Sequence, residues 1–491
     1  MNILKFKSNR AQDAYKIALN IKKFIDQWSK QSYLIYTLKK LSIITKIPLD
    51  IISYEVKQIL SSNFKFSRGT FTKRLSLRYV LLDGAIYLLL LIFSIIFSKN
   101  NFKSKEYKII IDDIEQENQA EQFSEISKLT KNSVFICKKN ILFKESNLKK
   151  FNIKRNSIFK FYNNKFLYDK RLKFFIIFFP IFFQSIRHNV NLFFIFSKLF
   201  YKIINNETLF NQVKSKVLII DRFYKTSAIK NYIFKKHGGE ITSCTQRIIC
   251  EFSISFFINI DIFFSLGKNV PTVIKKLGGK INKFVPVGSL SMEHFWYNRK
   301  KDLVKIPKSD ILIVGVNYAH ATDRMYIDKY HYDNYYQQFK WIKKISLKYP
   351  KLNIIIKHHA HYKGDQEEKK IIENCNVKTV YETQSINISY AYIYQAKQVF
   401  SFGSTMILEC LSMNKNSYFL DPNLQNISFH KSIPKAKKMR IKSYKEFEKM
   451  VINNLRKKKM TRIKNSNSLC LKSDKVSKRI VSFFKKKNYL V

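Results

Sequence analysis

Between Tyr107 and Asp421 short apolar runs alternate with longer stretches of mixed polar and apolar residues. The run at 107–111 predicts a strand ending in Asp112-Asp113, followed by a polar helical segment over 116–129 and a strand over 133–137. Residues 174–200 are very apolar but are broken by Pro180, Arg187, His188 and Asn189, so they read as core or membrane-facing helix rather than as a span. The next strand, 216–220, ends at Asp221. The helix expected over 226–236 stops at Gly238-Gly239, a C-terminal signal. Runs at 240–244, 260–265 and 283–287 follow, with a helix near 270–277, and the last run closes in Gly288-Ser289. This repeated strand–helix punctuation predicts a parallel sheet.

Residues 307–310 read as a linker, after which a second unit of the same kind opens with a strand over 311–314 and Gly315. A long amphipathic helix over 332–348 ends before Pro350. The strand 353–357 then runs into His358-His359-Ala360-His361. A strand over 398–402 passes through Gly403-Ser404-Thr405 into a helix of about two to three turns, and 416–420 is a further strand. The division that follows is a helical N-terminal region (1–105), two α/β units (106–305 and 306–425) and a basic helical C-terminal segment (426–491) with Lys runs at 457–459 and 485–487.

The N-terminal region carries a helical apolar stripe over 11–28 and a strongly apolar run over 79–98, with Asp83 and Gly84 near its start and basic residues on both flanks. That run is about as long as a bilayer core is thick. Three readings stand: a spanning helix, a helix half-sunk in the membrane surface, or a buried helix covering a sheet.

Composition changes this picture in two places. A formal net charge of +55 suggests a polyanion as partner. Yet Lys far outnumbers Arg, and Asn, Ile, Phe and Tyr are abundant, as A/T-rich codons would give. A nucleic-acid reader would use more Arg for bidentate contacts, so no nucleic-acid partner is expected and an anionic membrane surface is. The six Cys are scattered without CxxC or zinc spacing, which fits reduced thiols in the cytoplasm. No signal peptide is expected.

The candidate chemistry sits where strands end. Gly403, Ser404 and Thr405 lie where a strand meets a helix N-terminus, a place suited to phosphate, with Glu409 about one turn further on. Lys357 and the following histidines end another strand, and an imidazolium or ammonium there can stabilise a departing phosphate. Asp112, Asp113 and Asp221 end strands of the first unit, where a general base could face a cleft.

Four local patterns over roughly 107–425 resemble the GT-B glycosyltransferases that build bacterial capsule, lipopolysaccharide and related surface glycans. Ile354-Ile355-Ile356-Lys357-His358-His359-Ala360 resembles their strand plus K-x-H-P, with Ala360 in place of Pro. Gly403-Ser404-Thr405 with Glu409 resembles their donor-diphosphate turn and its ribose-binding acid. Gly315-Val316-Asn317-Tyr318 resembles their first turn of the donor domain. Thr245-Gln246-Arg247, the stretch Asp261 to Gly267 and Val287-Gly288-Ser289 resemble Q-H-G, D-x-x-x-x-x-G and V-G-S, with Arg247 and Ile248 replacing His and Gly. The resemblance implies two Rossmann-like domains, with Gly315, Lys357, His359, Gly403, Ser404, Thr405 and Glu409 on the donor and Gln246 and Arg247 toward the acceptor or an anion. The reacting groups would come from Asp112, Asp113, Asp221 and His359. It also implies a metal-independent enzyme without a bound cofactor, the nucleotide-sugar being substrate. The acceptor would be a glycan or lipid-linked molecule at the cytoplasmic membrane face. A CDP-alditol (glycerophosphate-type) transferase and a non-catalytic scaffold of the same fold are the alternatives.

Overall fold

A computed structural model describes residues 14–63, 75–96, 98–99, 103–115, 117–137, 158–160, 166–167, 172–222, 226–245, 257–268, 274, 278–303, 306–314, 329–358, 366–381, 386–401, 404, 406–422, 439–456 and 466–490. Two wholly parallel sheets organise it. The first contains β1 (Ile109–Ile114), β2 (Ser133–Cys137), β3 (Ile158–Lys160), β4 (Val217–Ile220), β5 (Ile241–Thr245), β6 (Asn259–Ser265) and β7 (Lys280–Pro286). Their order across the sheet is β7-β6-β5-β4-β1-β2-β3. The second contains β8 (Ser309–Val314), β9 (Ile354–Lys357), β10 (Val377–Val380), β11 (Ala396–Ser401), β12 (Asn416–Leu420) and β13 (Arg440–Ile441), in the order β10-β9-β8-β11-β12-β13. Each sheet starts in the middle, grows to one side, then returns and grows to the other. This is the doubly wound Rossmann-like order, and it leaves a switch point between β1 and β4 and another between β8 and β11. The chain is thus α/β with two Rossmann-like domains, the GT-B class of architecture.

The apolar runs make these strands because both faces of each sheet are covered. Along β1, Ile110 enters one core while Ile109 and Ile111 enter the other; along β8, Leu312 and Val314 alternate in the same way with Ile311 and Ile313. The helices of the N-terminal half are α1 (Ala14–Trp28), α2 (Ser32–Thr45), α3 (Leu49–Asn63), α4 (Val80–Ile96), α5 (Glu117–Gln122), α6 (Ser124–Thr130), α7 (Leu172–Arg187), α8 (Phe193–Gln212) and α9 (Ala228–Lys236). One face of the first sheet packs against α8 and α9, with α3, α4 and α7 as an outer layer. The apolar stretch at 174–200 is therefore two helices, broken after Arg187.

The C-terminal half supplies α10 (Leu290–Leu303), α11 (Lys329–Lys348), α12 (Gln366–Ile372), α13 (Ile386–Gln395), α14 (Met406–Cys410), α15 (Tyr444–Arg456), α16 (Ser466–Leu469) and α17 (Val476–Lys486). The basic C-terminal segment divides between the domains. Phe447 and Val451 of α15 join the second core, whereas Ile480 and Phe484 of α17 return to the first. The chain therefore crosses between domains twice, through α10 and again before α17.

Candidate active site

The first switch point collects acids. β1 and β4 are neighbours, so Asp112 and Asp113 at the end of one lie beside Asp221, which follows the other; Asp221 N donates to the Asp112 carbonyl at 3.2 Å. The three acids differ in setting. Asp112 is buried and its Oδ2 accepts from Lys230 Nζ of α9 at 2.5 Å. Burial opposes the charge on Lys230, but Asp112 and Asp113 outweigh it and hold the ammonium above its ordinary pKa. Asp221 is fully buried, 3.4 Å from Arg222 Nε, and its carbonyl accepts from Thr245 Oγ1. Asp113 is only half-buried, and it takes a left-handed backbone with φ 70°. Aspartate tolerates that region better than most residues. The pairing of β1 with β2 shifts register between Ile111 and Ile114, a bulge that re-aims the residues within it.

At the second switch point Ser401 ends β11 and donates from Oγ to the Val314 carbonyl of β8 at 2.8 Å. Lys357 pairs with Val314 across the next strand, so Lys357 and Ser401 flank β8, roughly 10 Å apart at two strand spacings. Lys357 is 1% exposed and donates from Nζ to the His358 carbonyl. Burial alone pulls its pKa down to about 8.

His358 stacks on Tyr381 at 4.9 Å and on Phe339 at 6.5 Å, with Nε2 3.7 Å from the Glu368 carboxylate. Tyr335 donates to the same carboxylate. His358 therefore faces into the domain and fixes the end of β9. His359 lies outside the described residues, as do Gly315, Gly403, Thr405, Gln246 and Arg247.

The described amides at the entry to α14 already have acceptors. Ser404 N donates to Ser401 Oγ at 3.0 Å, Met406 N to Ser404 Oγ at 3.3 Å, and Ile407 N to the Ser404 carbonyl at 3.2 Å. The helix is short: five residues of α14 pass into a single 3-10 turn, Leu411–Met413. What the described part of the turn offers a ligand is the half-exposed Ser404 hydroxyl, which keeps its own proton to donate.

Glu409 is 8% exposed and turned toward the other domain. Its Oε1 accepts from Ser289 Oγ at 2.5 Å and its Oε2 from Tyr390 OH at 2.9 Å. Ser289 follows β7, so this carboxylate joins the two domains in the described conformation. Ser289 N also donates to Ser473 Oγ at 2.9 Å, Arg479 Nη1 to the Val287 carbonyl at 2.6 Å, and Leu471 N to the Leu266 carbonyl at 2.8 Å. The strand ends of the first sheet thus meet the second domain and the returning C-terminal segment. His294 of α10 lies 2.6 Å from Glu121 of α5, the helix following β1, so α10 also touches the side bearing the acids.

The structure thus brings Asp112, Asp113 and Asp221 together, and puts Lys357 and Ser401 on either side of β8, with Ser404 bonded to Ser401. Sequence reasoning missed Lys230 and Tyr390. Neither carries a local signal: Lys230 is one basic residue in a helix, 118 positions from its acid.

In doubly wound sheets the switch points are where ligands bind. No protein-family model matches the chain, and no curated protein matches it. Solved structures similar to it include S. aureus MnaA with UDP, at 10% identity and TM-score 0.48 over 78% of this chain and 98% of that one. The Neisseria meningitidis UDP-GlcNAc 2-epimerase bound to UDP-GlcNAc gives 10% and 0.46 over 78% and 100%. Arabidopsis thaliana UGT89C1 gives 10% and 0.41 over 77% and 99%. Identities and scores this low transfer no activity to this chain.

Proposed function

We propose that this protein is a GT-B glycosyltransferase of surface-polysaccharide type. It takes a nucleotide-sugar as donor and passes the sugar to a glycan or lipid-linked acceptor at the cytoplasmic face of a membrane. The observation that carries this reading is the position of the candidate groups: an acid cluster at the switch point of one domain, and Lys357 with Ser404 around that of the other. Ligands of doubly wound sheets bind at such crevices. In this reading Lys357 and the Ser404 hydroxyl meet the donor phosphates, with His359 beside them as in the sequence pattern. A cation there stabilises the charge that the leaving nucleotide gains. Asp113 is the acceptor's general base, since Asp112 is paired with Lys230 and Asp221 with Arg222. It takes the acceptor hydroxyl proton as the new glycosidic bond forms and the bond to the donor phosphate breaks.

The test is calorimetric titration with UDP-, CMP-, CDP- and GDP-linked sugars, followed by mass spectrometry of product with membrane extract as acceptor. A donor that binds the parent and at least about tenfold more weakly Lys357→Met supports the site. If no nucleotide binds, or Lys357→Met binds equally well, the reading fails. Transfer from a CDP-alditol alone would make the enzyme the phosphotransferase instead.

A further inference from the structure

We propose that the adjoining outer faces of α4 and α7 form a membrane-docking surface that lies in the plane of an anionic bilayer. The two helices are in contact, with their hydrogen-bond partners in opposite chain order. Asn191, just past α7, donates from Nδ2 to Asp83 at the start of α4 at 2.7 Å, and Tyr87, further along α4, donates to the Phe174 carbonyl near the start of α7. Their outer faces are apolar. Leu82, Leu89 and Phe93 of α4 are 53%, 51% and 52% exposed, and Ile176, Phe179 and Phe183 of α7 are 65%, 62% and 63% exposed. Adjoining exposed side chains of this size mark an interaction surface rather than ordinary scatter.

The inner face decides how lipid meets this surface. Tyr87 packs among Phe178, Phe193 and Phe200, a Cβ on Gly84 would come within 3.3 Å of Phe193, and Asp83 is buried with Asn191. α4 is therefore tied along one side to the layer over the first sheet, whereas a lone spanning helix meets lipid all round. With 17 residues it is about 26 Å long, and lying flat it exposes only its outer stripe.

Charge points to lipid rather than to a second copy of the chain. α2 packs on α7, with Tyr33 stacked on His188, and it exposes Lys39 beside Tyr36 and Ile43. Arg78 and Arg187 are exposed at the ends of α4 and α7. Among the residues of α2, α4 and α7 the one acid is Asp83, which is buried. Two such faces brought together would oppose like charges, whereas phosphate headgroups complement them and the apolar stripe enters the acyl boundary. This inference does not depend on the donor reading, because vesicle binding and nucleotide binding are measured separately.

The experiment is co-sedimentation of the full chain with phosphatidylcholine vesicles, with and without phosphatidylglycerol. The parent should sediment with the anionic vesicles. Leu89→Glu/Phe179→Glu, both on the exposed stripe, should lower the partition at least about tenfold while circular dichroism stays unchanged. If that variant misfolds, Lys39→Glu/Arg187→Glu should lose binding to the anionic vesicles alone. Tryptophans placed by Phe93→Trp and Phe179→Trp should be quenched equally by lipids brominated high on the acyl chain. Binding unchanged in the folded variants overturns the proposal. So does a steep depth difference between the two tryptophans, or a parent that self-associates and ignores vesicles.

Discussion

Replacing Lys357 by methionine should make the protein more stable at neutral pH and weaken its hold on the donor. Lys357 is 1% exposed, and among the described residues no carboxylate offsets its burial. Burial pulls its pKa from 10.5 to about 8. Below pH 8 the group is charged in folded and unfolded chains alike, so the cost of burying the charge is fully present. Between 8 and 10.5 the unfolded chain holds the proton and the folded chain has released it, so stability rises with pH. The gap, at 1.36 kcal/mol per pH unit, makes the cost about 3 kcal/mol at pH 7 and about 1.4 kcal/mol at pH 9.5. Methionine removes that cost but also the hydrogen bond to the His358 carbonyl, a loss of about 1 kcal/mol. The expected net gain is about 2 kcal/mol at pH 7 and close to none at pH 9.5. Urea midpoints of parent and variant at the two pH values measure it. A variant less stable at pH 7, or an effect equal at both pH values, would refute the reasoning.

The same side chain makes donor binding a proton-uptake reaction. At pH 8.5 about a quarter of Lys357 is charged in the free protein, and a diphosphate beside it favours the charged form. Titrations in two buffers of different ionisation heat should show uptake of about 0.7 proton per donor. Binding without uptake would remove Lys357 from the donor contacts.

Asp113→Asn should leave donor affinity unchanged and lower turnover by about 100-fold or more. Asp113→Gly should be equally inactive yet still fold, because glycine takes the φ of 70° without strain, and circular dichroism checks it. Glu55→Ala should cost about 3 kcal/mol in denaturant unfolding, since this fully buried carboxylate accepts from Lys202, from Ser227 Oγ at 2.7 Å and from Ile229 N at 3.0 Å. Gly288→Ala should cost more than about 1 kcal/mol in the same assay; its φ is +100° and a Cβ would come within 2.9 Å of Ser473 Oγ.

The strands were legible because strands covered on both faces need continuous apolar runs, such as 217–220 and 354–356. The edge strands β3, β10 and β13 were not, since a short strand paired on one side makes weak demands on composition. The site was legible as residue types at strand ends, but not as roles. Three aspartates looked equivalent in the chain. Lys230 and a bulge at Asp113 distinguish them, and both arise from tertiary pairing. Glu409 stands where the resembled family has its ribose-binding acid, and its partners Ser289 and Tyr390, from another domain and another helix, leave no trace beside it in the chain. Among adjacent histidines, the aromatic stack around His358 comes from two other segments and leaves no mark in the sequence.

The same logic explains why the basic N-terminal helices cannot be an appended module. Their described lysines are exposed or half-buried, but their buried polar groups are committed to the first sheet's layer. Gln58 donates from Nε2 to the Phe257 carbonyl at 2.6 Å and accepts at Oε1 from Ala228 N at 2.8 Å, while Glu55 accepts from Ile229 N. Both side chains thus satisfy amides in the first turn of α9, the helix that carries Lys230 to Asp112. Tyr54 lies 2.6 Å from the Gly278 carbonyl and accepts from Lys280 N, at the entry to β7. Cutting the chain at the composition boundary near 105 would leave these amides and carbonyls unpaired and strip Tyr87 from Phe200 in the core beneath. The composition boundary therefore marks a change in what the surface faces, not the edge of a folding unit. The acid cluster of the first domain rests on helices that the sequence set apart from it.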